Sequence, residues 1–190
     1  MPKLVSLSQV KSYLGKASAR TADDTFITSL IEEYSSRFEE ECGQPIEQAA
    51  TSYEWFGLGN ATVTLPHRSV MEVSGLDSLD GIVWKPVAPA SFVLAGTRIV
   101  SEEPFRRGVL YRATIVVGYL PDKIPGDIVT AVRGRVLVEY YDAPAGGDRF
   151  GVVSEKEEAG TDHDTRILTY DRTKAAADWS AAVRRHSRLP

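Results

Sequence analysis

The chain has 190 residues, 43% of them hydrophobic and 25% charged, with a formal net charge of −4. That is enough apolar material for one core of ordinary size, with some chain left over. The negative balance argues against a protein whose main task is to grip DNA or an anionic membrane through a basic face.

The start, MPKLVSLSQVK, has no apolar run after its lysine, so no signal peptide is expected. No window approaches the roughly 18 apolar residues of a membrane helix. The single cysteine, Cys42, offers neither an internal disulfide nor a metal-type pair. A soluble protein of a reducing cytoplasm is the expectation.

Ser6 and Gln9 have the capping-box spacing, which predicts a short helix over 7–14, ended by Gly15. A polar link, KASART, leads to DDTFITSLIEEYSSRFEEECG, residues 23–43. Here Phe26, Ile27, Leu30, Ile31, Tyr34 and Phe38 share one arc of about 140° at helical spacing. Thr28, Glu32, Ser35, Ser36 and Glu39 take the other side. The helix is predicted over 22–42, with Asp23 and Asp24 at the favourable dipole end and Glu33 paired to Arg37.

From 49 to 119 the period becomes two. Tyr53 and Trp55 alternate with polar residues, GLGN at 57–60 reads as a turn, and Ala61, Val63 and Leu65 alternate again, so a hairpin is expected. VMEVSGLDSLDG, IVWKPV and SFVLAGTRIV read as further short strands. EEPFRRG reads as a solvated turn. Val109, Tyr111, Ala113, Ile115, Val117 and Tyr119 fall on one face of a last strand. The expectation is an antiparallel β region of about five to seven strands.

Pro125 opens a second long helix over 125–141. Ile128, Val129, Val132, Val136, Tyr140 and Tyr141 form its arc. Leu137 and Val138 fall outside it, so the helix is expected to be covered on more than one side, by the sheet or by another subunit, for which these two are the candidate contacts. After Tyr141 the chain turns polar. Residues 143–165 hold six acids and two bases, whereas 166–190 hold six bases and two acids. A sparse terminal helix is predicted from about 173 to 186. Trp179 on it has two readings: packed on its own domain, or inserted into another protein, where Trp and Arg commonly carry binding energy.

The fold class is therefore α+β, a small helical bundle with an inserted antiparallel β region. A core spans 1–141 and an extended C-terminal arm spans 142–190. No catalytic, cofactor or metal set is readable. Asp162, His163 and Asp164 are adjacent in one loop with no second cluster. His67 and His186 belong to no base–nucleophile set. A small-ligand site would need a pocket around His67 and Arg68.

Two stretches carry a resemblance. VSLSQVKSYL followed by DDTFITSLIEEYSSRFEEECG, and IVVGYLPDKIPGDIVTAVRGRVLVEYY later, are similar to the head–tail connector family of tailed bacteriophages, the adaptor or head-completion proteins. The resemblance covers roughly 4–45 and 109–141. It implies a non-enzymatic virion protein of the capsid–tail neck, assembled in the host cytoplasm. Such proteins form a ring of about twelve copies beneath the portal protein. The ring extends the DNA channel without sequence-specific binding and offers a platform to downstream neck or tail proteins. A C-terminal segment that grips the portal would here use Trp179, Val183, Arg184, Arg185 and Arg188, and its removal (residues 171–190) would leave a folded core. The alternative is another neck protein, a stopper or terminator.

Overall fold

A computed structural model describes residues 3–14, 21–143 and 172–188. It is α+β, with four helices and two antiparallel sheets among the described residues. The helices are α1 (Leu7–Lys11), α2 (Asp24–Cys42), α3 (Gly126–Asp142) and α4 (Arg172–His186). The strands are β1 (Ala49–Phe56), β2 (Thr62–Thr64), β3 (Val70–Asp80), β4 (Val83–Pro86), β5 (Phe92–Ala95), β6 (Arg98–Ser101) and β7 (Leu110–Val117). The chain divides into two compact units, 1–41 with 124–185, and 42–123 with 186–190. The sequence-based boundary at 141/142 follows a different line, because α4 belongs with the other helices. No helix among the described residues is long and apolar enough to cross a membrane.

In the helical unit, α1 starts on the predicted capping box. The Ser6 hydroxyl accepts from the Gln9 backbone, and the Gln9 side chain accepts from the Ser6 backbone at 2.7 Å. Two orphan donors of the first turn are thereby satisfied. The helix ends at Lys11, earlier than expected, and Gly15 lies outside the described residues. Ile27, Leu30, Ile31, Tyr34 and Phe38 of α2 are buried, as their spacing predicts.

Ser35, expected on the polar side, is also buried, because its Oγ accepts the backbone N–H of Leu4 at 3.0 Å. Arg37 bonds Glu41, one turn onward, rather than Glu33. Residues of α2 and α3 meet through the Tyr34 hydroxyl, which donates to Glu139 at 3.0 Å. Just before α2, Asp23 accepts from the Tyr140 hydroxyl at 2.8 Å. The buried side of α3 is Ile128, Ala131, Val132, Val136, Leu137 and Tyr140. Leu137 thus belongs to the core of its own chain, at 3% exposure, while Val138 is half-buried. Helical spacing sets which residues share a side but not how wide a side the neighbours cover.

In the second unit the sheets have strand orders β1-β7-β3-β4 and β2-β6-β5. β7 sits between β1 and β3 and buries Tyr111, Ala113, Ile115 and Val117, the predicted alternation. These pack with Leu65, Leu76, Ile99 and Phe105. The expected hairpin of β1 with β2 does not form. β1 pairs antiparallel with β7, and β2 pairs with β6 in the other sheet. GLGN instead lies along residues 105–109. Gly57 N–H donates to Val109 O, Gly59 N–H to Phe105 O, and Phe105 N–H to Asn60 O.

Gly57 allows this approach, since a Cβ there would stand 2.2 Å from Arg106 O. EEPFRRG is exposed at every position except one, as a solvated turn requires. Its Phe105 is 4% exposed and lies edge-on to Trp55 and Tyr111. One phenylalanine in a charged heptapeptide carried too little local signal against the charges around it.

Candidate functional site

The segment expected to reach a partner is α4 and the residues after it. Ala175, Trp179 and Ala182 are buried, spaced four and three residues apart, so a sparse sequence still makes one apolar stripe. The small alanines let the helix approach closely, and the tryptophan fills the space between. Trp179 lies edge-on to Phe38, centroids 5.1 Å apart, and to Tyr34, 6.1 Å apart. Its Nε1–H donates to Glu41 at 2.7 Å. The Arg135 guanidinium stands 5.8 Å from its ring centroid, within cation–π range.

Of the two readings of Trp179, the structure shows the packing on its own chain, against α2 more than 130 residues earlier. Removing residues 171–190 would strip this stripe from the helical unit rather than leave it whole.

The remaining expected contact residues differ among themselves. Val183 is half-buried. Arg184, Arg185 and Arg188 are exposed. Arg185 pairs with Asp127 at 2.6 Å and Arg172 pairs with Asp142. Arg184 makes no ion pair among the described residues. Arg172, Lys174, Arg184 and Arg185 are exposed along α4, and all but Arg184 are paired with carboxylates, Lys174 with Asp178 at 2.5 Å.

Beyond α4, residues of the second unit hold the chain by its backbone. Gln44, 6% exposed, donates to His186 O and accepts from Arg68 N–H at 3.1 Å. Arg68 Nε–H donates to Ser187 O at 2.7 Å. Arg188 N–H donates to Cys42 O at 2.8 Å. The His186 ring lies edge-on to Tyr119, 6.4 Å away. His67 is 5% exposed, and its Nδ1 has no hydrogen-bond partner among the described residues. Burial, and after it the Arg188 charge, push its pKa down. Sequence reasoning missed Gln44 and Arg68 here, because side chains that hold a distant backbone segment leave no periodic trace.

Among the described residues no three His, Cys, Asp or Glu side chains converge as metal ligands. Asp162, His163 and Asp164 lie outside them. A groove of about 400 Å³ in the second unit is lined by Asp80, Lys85, Glu102, Glu103 and Arg106 among others. Its lining includes neither His67 nor Arg68, the residues around which a small-ligand site would need a pocket.

These elements make an α+β protein with a helical unit and a two-sheet unit. No family model matches the chain. No curated protein matches it. Solved structures do. The chain is similar to one in the virion of a native gene transfer agent (GTA) particle, with TM-score 0.58 and 16% identity over 97% of this chain and 89% of that one. It is similar to a chain in the neck of a native GTA particle computed with C12 symmetry, with TM-score 0.52 and 17% identity over 95% and 91% of the two chains. A chain in the neck of an empty GTA particle computed with C6 symmetry gives TM-score 0.51 and 18% identity over 73% and 79%. At such identities the likeness is one of fold.

Proposed function

We propose that this chain is a structural protein of the neck of a phage-like particle, a head–tail connector that forms a ring beneath the portal. The observation that carries the reading is the fold likeness to virion and neck chains over 95–97% of this chain. The resemblance in the sequence points the same way from different residues. The reading assigns no chemistry to the chain. It makes the four helices a bundle that forms the rigid body of each ring subunit, and the two-sheet unit a platform for the next neck or tail protein.

Closed rings arise when one patch of each copy meets a different patch of the next. Val138, half-buried on α3, with Leu137 behind it, is the proposed contribution to that contact. Arg184, Arg185 and Arg188 are the proposed portal contacts. Val183 and Trp179 reach the portal only if α4 leaves its present seat. Repeated around a ring, weak arginine contacts add through avidity. The net charge of −4 suits a channel through which DNA passes without sticking.

The test is imaging of assembled particles. A ring of this chain at one vertex, between portal and tail, is expected. A chain dispersed over the capsid or absent from particles would sink the reading. Arg184→Ala, Arg185→Ala and Arg188→Ala together are expected to leave a folded protein that docks poorly on portal-bearing heads.

A second reading, another neck protein such as a stopper or terminator, fits the same fold likeness, which includes a neck chain computed with C6 symmetry. The copy number of the ring separates the two.

A further inference from the structure

The four-stranded sheet of the second unit is antiparallel throughout, in the order β1-β7-β3-β4. Its outer strands, β1 and β4, therefore run in opposite directions. Natural sheet edges are commonly blunted by lysines, prolines or bulges. β3, paired with β4 only over 77–80, shows register shifts at Val70/Glu72 and Val73/Gly75. β1 pairs with β7 without a break over all eight residues, AATSYEWF, and has one charge, Glu54.

A row of apolar residues crosses the outward face of this sheet. Phe56 pairs with Leu110, and Trp84 with Leu79. The register that pairs Tyr111 with Ser78 brings Leu110 alongside Leu79. Arg112 bonds Asp77 at 3.0 Å and stands 4.3 Å from the Trp84 ring centroid, so Trp84 shares the face of Arg112. Leu110, Leu79 and Trp84 are half-buried. The ends of the row lie open: Phe56 is 63% exposed, Leu58 just beyond it 67%, and Ile82 on the β3–β4 turn 95%.

The backbone at the two edges fits one register. Gly57 N–H donates to Val109 O at 2.8 Å, so the backbone groups of Glu54 and Phe56 point away from β7. Val87 N–H donates to Leu76 O at 2.8 Å, so those of Trp84 and the Pro86 carbonyl point away from β3. Phe56 of one sheet placed opposite Trp84 of another matches outward donors to outward acceptors. The same register brings Glu54 N–H to Pro86 O and Leu58 beside Ile82. Only the missing proline N–H costs a bond.

We propose that β1 of one copy pairs with β4 of the next, Phe56 opposite Trp84, as a subunit seam. The seam rests on the ring reading. A copy carried sideways by rotation about the ring axis keeps its strand direction, so its β1 meets the first copy's β4 antiparallel. Two β1 edges meet antiparallel only about a twofold axis, which closes a pair and not a larger ring. Main-chain bonds hold the seam, and the apolar row selects its register. The joined sheets offer one continuous surface to the next neck protein.

The experiment uses Leu58→Cys together with Ile82→Cys, both at exposed positions. Within one chain these lie between two and three strand spacings apart, roughly 12 Å. That is beyond the Cα separation of about 7 Å that a disulfide allows, so a bond between them joins two copies. Mild oxidation of assembled particles is expected to give a ladder of covalent multimers. The wild type, whose one cysteine, Cys42, is buried, is expected to give none. Phe56→Glu added to the double variant is expected to cut the ladder at least about tenfold, the order of one lost apolar anchor. The purified Phe56→Glu subunit should still melt like the wild type, because the residue is exposed. A ring in the particles without a ladder overturns the seam and leaves the ring reading standing. Dimers formed as readily by Leu58→Cys alone overturn it in favour of β1 on β1. Particles with no ring of this chain overturn both.

Discussion

Trp179 of the last helix lies edge-on to Phe38 of the first long helix, their ring centroids 5.1 Å apart and their planes at 88°. This pair fixes the C-terminal helix to the helical unit. It also explains why a helix with so few apolar residues has a tryptophan.

Trp179→Ala removes both ring contacts and the bond to Glu41. It is expected to cost about 3–5 kcal/mol, the range for large aromatic truncations in a core. Trp179→Phe keeps most of the apolar volume and is expected to cost less, roughly the charge-assisted bond to Glu41 at about 1.5–3 kcal/mol. Urea denaturation measures both, and hydrogen exchange in α4 should quicken in the alanine variant first. An alanine variant as stable as the wild type would mean that α4 does not stay docked in solution.

Gly118 sits at φ +91, and a Cβ there would stand 2.6 Å from Glu47 O. Here the chain leaves β7, and its backbone runs close beside Ile46–Gln48, where Tyr119 N–H donates to Ile46 O at 2.7 Å. Gly118→Ala is expected to destabilise by about 3 kcal/mol or more, combining left-handed strain with backbone crowding. Gly81, at φ +64 with open space around it, provides the control. Gly81→Ala carries the strain alone and should cost about 1–2 kcal/mol. Equal costs at the two sites, measured by thermal denaturation, would refute the crowding argument.

Tyr34 is buried and donates its hydroxyl to the Glu139 carboxylate, and burial first and that bond second push its pKa up to about 12. The folded value lies above the unfolded value of about 10, so folding favours the neutral phenol. Its contribution is fully present below about pH 10 and is lost as pH rises through about 12. Tyr34→Phe is expected to lower stability at neutral pH by about 1 kcal/mol. The variant should then lose less than the wild type between those values. Parallel stability curves for the two proteins across the alkaline range would contradict this.

His67 has the opposite sign. Burial and the neighbouring Arg188 charge hold its folded pKa below the ordinary histidine value. Folding therefore favours neutral imidazole. The contribution is present above about pH 6.5 and is lost as pH falls below that value through the folded pKa. Acid-side stability curves of the wild type and of His67→Gln should converge as pH drops. Direct NMR titration of the ring should give a midpoint below that of free histidine.

The long helices were legible because each carries its own evidence. The stretch predicted over 22–42 is α2 (Asp24–Cys42), and 125–141 is α3 (Gly126–Asp142). The terminal helix predicted near 173–186 is α4 (Arg172–His186). Apolar spacing, end signals and the Ser6/Gln9 box are local, and local hydrogen bonding decides them. The alternation along β7 was readable for the same reason. The exposed arginines at 184, 185 and 188 were legible as basic sequence. Their separation from the buried Trp179 was not.

Partnership was settled elsewhere. That β1 pairs with β7, 60 residues later, and not with its neighbour β2 depends on which strands share a core, and no turn signal records it. Leu137 and Ser35 were misplaced on their helices because the width of a covered face is a property of the neighbours. The meeting of Cys42, Gln44 and Arg68 with residues 186–188 rests on hydrogen bonds to backbone oxygens, which any sequence presents. Periodicity shows which side of an element avoids water. What that side then meets is fixed when long-range burial outweighs the entropy of closing the loops between.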